Sequence, residues 1–125
     1  MLFTADGYSE LVHGFQLALE VSGLRPVTIK HYTTDTRKFL ERYPDVPPSE
    51  ITSVHIRQYL VLLKQRISAK TVYEVQFALR RFFRYLVEEG EIAVSPCDGI
   101  KLTRYRVKPS ALVQYGRNQG VTSFL

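Results

Sequence analysis

Cysteine is nearly absent from this sequence, since Cys97 is the only one among 125 residues. A lone cysteine cannot form an internal disulfide framework, and it cannot supply a cysteine-rich zinc site. We therefore expect a reduced, intracellular setting, and within it the cytoplasm. No histidine neighbours Cys97 in the sequence, so we interpret its thiol as incidental rather than as a nucleophile.

Long apolar runs are lacking as well. No stretch approaches the roughly 20 apolar residues that a membrane-spanning helix needs, and no basic-then-apolar signal opens the chain. The three histidines, His13, His31 and His55, lie far apart without metal-ligand spacing. There is also no glycine-rich phosphate loop. The sequence therefore predicts no membrane association, no metal and no cofactor.

Basic residues are missing from one end of the chain. Residues 1–24 contain Asp6, Glu10 and Glu20 but no Lys or Arg, so they carry −3 of a net charge of +5 and the remainder carries +8. Cations segregated in this way favour a polyanionic partner, because each Lys or Arg that neutralises a phosphate releases condensed counterions. The alternative is an ordinary soluble protein with a high isoelectric point.

Apolar residues recur at helical spacing over four stretches, 8–22, 26–43, 52–67 and 68–89, whereas strict two-residue alternation is scarce. Thr52 and Ser68 are suited to be N-caps, and Gly23 and Gly90 to end the helices before them. Short connections between four helices predict an all-α bundle. We expect one domain over residues 1–100, followed by a basic linker and a flexible tail over residues 101–125.

The second and fourth helices follow one pattern. Counted from Ile29 and Val72, the same offsets are apolar or small, which predicts a buried stripe on each helix. The predicted stripes are Ile29, Tyr32, Thr36, Phe39, Leu40 and Tyr43, and Val72, Val75, Leu79, Phe82, Phe83 and Leu86. The positions opposite them are Lys30, His31, Thr34, Arg37 and Lys38, and Tyr73, Phe77, Arg80, Arg81 and Arg84.

Basic and hydrogen-bonding groups opposite a core stripe suit DNA, because a helix fits the major groove and Arg or Lys can read guanine edges. Helix N-termini also favour phosphate, and Thr28 and Thr71 lie at these ends. The alternative for Arg80 and Arg81 is a solvated helix face. Tyr73 and Phe77 could equally pack on a neighbouring helix or a partner protein.

Several motifs together resemble a known family. The segment 78–86 reads ALRRFFRYL, preceded by Ser68 and Thr71 and followed by Gly90 and Pro96. Segments 28–32 (TIKHY), 35–39 (DTRKF) and 51–60 (ITSVHIRQYL) are similar to the family's second and third helices. In this order and spacing, residues 8–112 resemble the core-binding domain of tyrosine recombinases, the phage-integrase group.

The resemblance implies a four-helix, SAM-like orthogonal bundle that forms half of a clamp around double-stranded DNA. Its second and fourth helices would enter the major groove, and its first helix would contact other recombinase protomers. The implied DNA-contacting residues are Thr28, Lys30, His31, Thr34, Arg37, Lys70, Thr71, Tyr73, Glu74 and Arg80, and the basic face of the fourth helix adds Arg81 and Arg84.

The chain departs from the family pattern at three positions. Arg25 replaces a serine before the second helix, which weakens the cap but adds a cation. Glu74 stands where a basic or amide residue is common, and its carboxylate can accept only from cytosine in the groove. Gln76 occupies a position that is usually apolar.

The catalytic chemistry of this family is not visible in the sequence. A tyrosine nucleophile needs arginines and histidine or lysine to stabilise the developing charge. No histidine here is followed by arginine three residues later, and Tyr115 lies in a glycine-flanked tail. We therefore expect DNA binding without catalysis by this chain, and a monomer in isolation. The alternative is a protein-interaction module, or a truncated regulator of recombinase assembly, acting through the first helix.

Overall fold

The computed structural model describes residues 5–101, and their side chains from Glu10 onward. It contains four helices, α1 (Ala5–Val21), α2 (Pro26–Arg42), α3 (Ser53–Lys64) and α4 (Ala69–Glu88), with a 3₁₀ turn at Pro48–Glu50. The described residues include no strand. The predicted all-α, four-helix fold is confirmed, while the predicted flexible tail lies outside the described residues.

The helix ends follow from local chemistry. Gly23 and Gly90 both have positive φ, and the amides that follow them donate back to Leu19 and Leu86. This pattern satisfies the last carbonyls of a helix and favours glycine, which bears no Cβ. Helix α2 begins with Pro26 in its first turn and ends before Pro44, whose missing N–H would break it.

Both predicted N-caps are confirmed. Ser68 Oγ accepts a hydrogen bond from the Thr71 amide at 3.2 Å. Thr52 is the N-cap of α3, and its amide donates to His55 Nδ1 at 2.9 Å. The observed α3 ends at Lys64, three residues before the predicted end, and the amides of Arg66 and Ile67 both donate to the Leu63 carbonyl. Ile67 still packs against the core.

One aromatic cluster joins the helices. The ring of Phe15 from α1 lies 5.3 Å from Phe82 of α4, and Phe82 lies 5.1 Å from Phe83. Phe39 of α2 contacts Phe83 at 6.2 Å and Tyr59 of α3 at 5.1 Å, each edge to face. Edge-to-face pairs stabilise a core beyond the burial of their area. The cluster therefore fixes α2 and α4 side by side.

The two predicted stripes are the core faces of α2 and α4. All six stripe positions of α4 are buried, and four of six on α2 are. The exceptions, Tyr32 and Tyr43, are half-buried, because each ring reaches the edge of the core. The Tyr43 hydroxyl donates to the His55 carbonyl at 3.0 Å, which ties the end of α2 to α3.

The segment after α4 returns along the bundle. Cys97 is buried, and Ile100 packs against the core. Three side chains donate to backbone carbonyls there: Arg57 to Gly99, Arg80 to Ile100 and Gln76 to Lys101, at 3.4–3.5 Å. Gln76 is only 3% exposed, so this bond gives its amide a partner at a position where an apolar residue is usual.

Candidate nucleic-acid interface

The predicted contact residues of α2 lie on both flanks of that helix. Thr28 and His31 line a recess shared with Glu74 and Phe77 of α4. Lys30 instead lines a recess on the other flank, together with Gln16 and Glu20 of α1. The cause is helix geometry, since adjacent residues are separated by about 100° around the axis.

The remaining predicted positions of α2 follow the same geometry. Arg37 is exposed and lies two turns from Lys30, so it shares the flank that faces α1. Thr34 is half-buried between the two flanks. The structure therefore brings Thr28 and His31, but not Lys30 or Arg37, next to α4.

The arginines of α4 line a second recess. Arg80, Arg81 and Arg84 line one side of a groove, and the other side is lined by Ala93, Val94, Ser95, Cys97 and Asp98. Phe77 lines this groove and also the recess that contains His31, so it separates the two. We call the second recess the arginine groove. It brings together the three arginines that the sequence pattern singled out.

The arginines are not equally free to bind a ligand. Arg80 donates to the Ile100 carbonyl at 3.4 Å. Arg84 pairs with Glu88 at 3.4 Å, but both side chains are largely exposed, so water screens this pair strongly. Arg81 is half-buried and has no hydrogen bond or ion pair with any described residue.

The first turn of α4 is accessible. Lys70 and Thr71 are exposed there, so both side chains are accessible to a ligand. The Thr71 hydroxyl lies 3.0 Å from Ser68 Oγ, so it takes part in the cap. Further along, the Tyr73 ring meets Phe77 edge to face, with 4.9 Å between their centres.

Two carboxylates give the recess between α2 and α4 a mixed charge. Burial raises the pKa of Asp35 above its ordinary 3.8, and the Glu74 carboxylate adds to that rise, while His31 and Lys38 lower it. Asp35 lines the same recess as Glu74. Carboxylates repel phosphates but can accept from base amino groups, so this recess suits base edges better than the DNA backbone.

Some residues that line the two recesses of the candidate interface were missed by sequence reasoning. Tyr32 was assigned to the core, yet it lines both recesses, and Asp35 was not singled out. The spacing of Asp35, one turn after His31 on the same flank, is a signal that could have found it. Val94, Ser95 and Asp98 lie in a loop, where helical periodicity gives no information.

Other kinds of site find little support between residues 5 and 101. Burial raises the pKa of the Cys97 thiol to about 11, so the thiol is neutral at physiological pH. In this part of the chain, no three His, Cys, Asp or Glu side chains are grouped to hold a metal ion. None of the described helices has the length and apolar character to cross a membrane.

Comparison with known proteins agrees with this architecture. Residues 11–91 match the family described as phage integrase, N-terminal SAM-like domain. The chain is also 29% identical, over 96 residues, to a protein of Caldanaerobacter subterraneus subsp. tengcongensis described as tyrosine recombinase XerC-like. That alignment covers 74% of this chain but 25% of the relative, so the chain spans about a quarter of the relative's length. No solved structure matches the chain. Because the family match includes all of α2, α3 and α4, the chain belongs to the phage integrase N-terminal SAM-like domain family.

Proposed function

We propose that this chain binds double-stranded DNA, as the N-terminal clamp half of a tyrosine-type site-specific recombinase or integrase. One observation carries the proposal: α2 and α4 pack side by side, and their polar outer positions form adjoining recesses divided by Phe77. Two neighbouring helices of this kind can address one major groove. The role also accounts for the cytoplasmic location that we expect.

The proposed contacts divide by chemistry. Arg81 and Arg84 of the arginine groove, and Lys70 at the start of α4, are placed to neutralise phosphates. His31 and Glu74 lie together in the recess that we assign to base edges. Lys30 and Arg37, on the far flank of α2, would contact the opposite strand. Thr28, Thr34, Thr71, Tyr73 and Arg80 complete the proposed set.

We assign no catalysis to this chain. A tyrosine nucleophile is activated by a neighbouring base or by a lowered pKa. Burial instead raises the pKa of Tyr43, Tyr59 and Tyr85, which makes each phenol a poorer source of phenolate. The proposed role is therefore to hold DNA, while Tyr115 lies outside the described residues.

Removing one cation from each helix tests the proposal. We expect the Lys30→Ala, Arg84→Ala double variant to bind duplex DNA more weakly. The slope of the logarithm of the binding constant against the logarithm of the salt concentration should become shallower by about 2, one for each lost phosphate contact. Fluorescence anisotropy titrations at several salt concentrations measure both quantities.

A matched control removes the same charge elsewhere. Lys64 and Arg66 are exposed at and just after the end of α3, and we expect the Lys64→Ala, Arg66→Ala double variant to retain most of the affinity. Equal losses in the two double variants would mean that only net charge matters, and the proposed surface would be wrong.

A second candidate function rests on α1. Leu17 and Val21 are 47% and 88% exposed, and Glu10 and Glu20 on the same helix are exposed as well. An acidic helix with exposed apolar side chains suits a protein partner, such as another recombinase protomer, because phosphates would repel it. If this is the main role, sedimentation will show self-association that Val21→Lys abolishes, together with indifference to DNA.

A further inference from the structure

The arginine groove carries a feature that duplex binding does not use. The groove has a volume of about 620 Å³, and two aromatic side chains, Tyr32 and Phe77, line it beside the arginines. Phe77 is 39% exposed, so part of its ring is open to solvent at the groove. A duplex keeps the faces of its bases stacked, so rings within a recess cannot reach them.

A single DNA strand presents exposed base faces on which these aromatic rings can stack. Each of its bases exposes a π-face that can stack on an aromatic side chain, while its backbone carries one charge per nucleotide. Phe77 and Arg81 are four residues apart on α4, which places their Cβ atoms about 5–6 Å apart on one face. A ring and a cation at this separation can engage a base and a neighbouring phosphate together.

The charges of the groove favour an anion. Arg81 is half-buried and has no hydrogen bond or ion pair with any described residue, so its N–H donors are available to a ligand. Arg84 has only the exposed pair with Glu88, and Asp98 is the one acidic residue that lines the groove. An acidic peptide would satisfy these cations but would leave the rings unused.

We propose that the arginine groove binds a single DNA strand, with Phe77 and Tyr32 stacking on bases and Arg81 and Arg84 holding phosphates. The opposite wall fits this ligand, since Val94 is 67% exposed and can pack against the second face of a base. The inference rests on the proposed function for the class of ligand, DNA, and goes beyond it in the form of that DNA.

The test compares three probes under the same conditions: an oligothymidylate of about a dozen nucleotides, an abasic strand of equal length and a duplex. We expect Phe77→Leu to weaken oligothymidylate binding by about tenfold, since stacking on one base is lost. Binding of the abasic strand should not change, because that strand presents no base to the ring. Phe77→Tyr keeps the ring and should keep the affinity, and Arg81→Ala should weaken both single strands.

Each outcome decides between alternatives. If oligothymidylate and the abasic strand bind equally, and Phe77→Leu alters neither, the groove holds only phosphates and the inference is wrong. Polyglutamate binding as tightly as oligothymidylate would overturn it in favour of an acidic peptide. Duplex binding without strand binding refutes this inference alone, whereas the reverse refutes only the duplex proposal.

An independent readout avoids dependence on any one variant. In the unaltered protein, oligothymidylate should shift the NMR resonances of Phe77, Val94 and Ser95 through the ring currents of stacked bases. Shifts confined to α3 would contradict the assignment of the groove.

Discussion

At the scale of single residues, two buried threonines on α2 differ in how their hydroxyls are satisfied. Thr33 Oγ1 donates to the Ile29 carbonyl at 3.0 Å. Thr36 Oγ1 is fully buried and has no hydrogen-bond partner among the described residues. A buried hydroxyl without a partner loses its hydration and gains nothing in return. The two positions should therefore respond in opposite ways to the same substitution.

Replacing each threonine with valine makes this contrast measurable. We expect Thr36→Val to raise the free energy of unfolding by about 1 kcal/mol and Thr33→Val to lower it by about 1 kcal/mol. Both changes keep the β-branched shape, so helix propensity is nearly constant. Urea unfolding followed by circular dichroism measures the difference, and a loss of stability in both variants would show that Thr36 has a partner in solution.

The carboxyl group of Asp35 links stability to pH. Burial raises its pKa above 3.8, and Glu74 raises it further. Above the ordinary value the unfolded chain loses this proton before the folded chain does, so the folded chain binds more protons. The free energy of unfolding therefore decreases as the pH rises from the ordinary aspartate pKa through the raised pKa of the folded chain. It increases again as the pH falls.

Asp35→Asn should remove this dependence. We expect the variant to be more stable than the unaltered protein at neutral pH, and to show no such advantage near pH 3, below the ordinary aspartate pKa of 3.8. The exposed Asp45→Asn variant is the matched control and should show no gain. Urea unfolding at the two pH values measures the effect, which a pH-independent gain would contradict.

At the scale of helices, α2 and α4 begin differently. Ser68 caps α4 through its hydroxyl, whereas Arg25 at the start of α2 makes no capping hydrogen bond. The backbone of Arg25 is nonetheless extended, with φ −68° and ψ 147°, close to that of Ser68. Arg25 therefore has the backbone geometry of an N-cap, but its side chain does not cap the helix. We expected a weaker cap here, because Arg25 replaces the serine of the family pattern.

Single substitutions at the two N-cap positions test this difference. We expect Arg25→Ser to stabilise the protein by about 1 kcal/mol and Ser68→Ala to destabilise it by about as much. If Arg25 also attracts phosphate, Arg25→Ser will weaken DNA binding while it stabilises the fold. Thermal unfolding and anisotropy on the same samples separate the two effects, and unchanged stability in Arg25→Ser would mean that water caps α2 equally well.

At the scale of the whole molecule, the fold was largely predictable, and the grouping of side chains in the candidate interface was not. Helical periodicity predicted the four helices and the buried stripe of α4, because apolar residues recur at helical spacing on the face that is buried. Periodicity does not say which neighbour each flank meets. Lys30 and His31 were therefore grouped together, although one lies beside α1 and the other beside α4.

Hydrogen bonds from Arg57, Gln76 and Arg80 to the backbone carbonyls of residues 99–101 hold the segment after α4 against the bundle. A guanidinium has five N–H groups, so Arg80 can hold the Ile100 carbonyl and still offer donors to a nucleic acid. Its side chain is thus oriented before any ligand arrives, which reduces the rotamer entropy lost on binding. If α4 tilts when it binds DNA as we propose, Lys101 should move with it, because Gln76 of α4 donates to the Lys101 carbonyl.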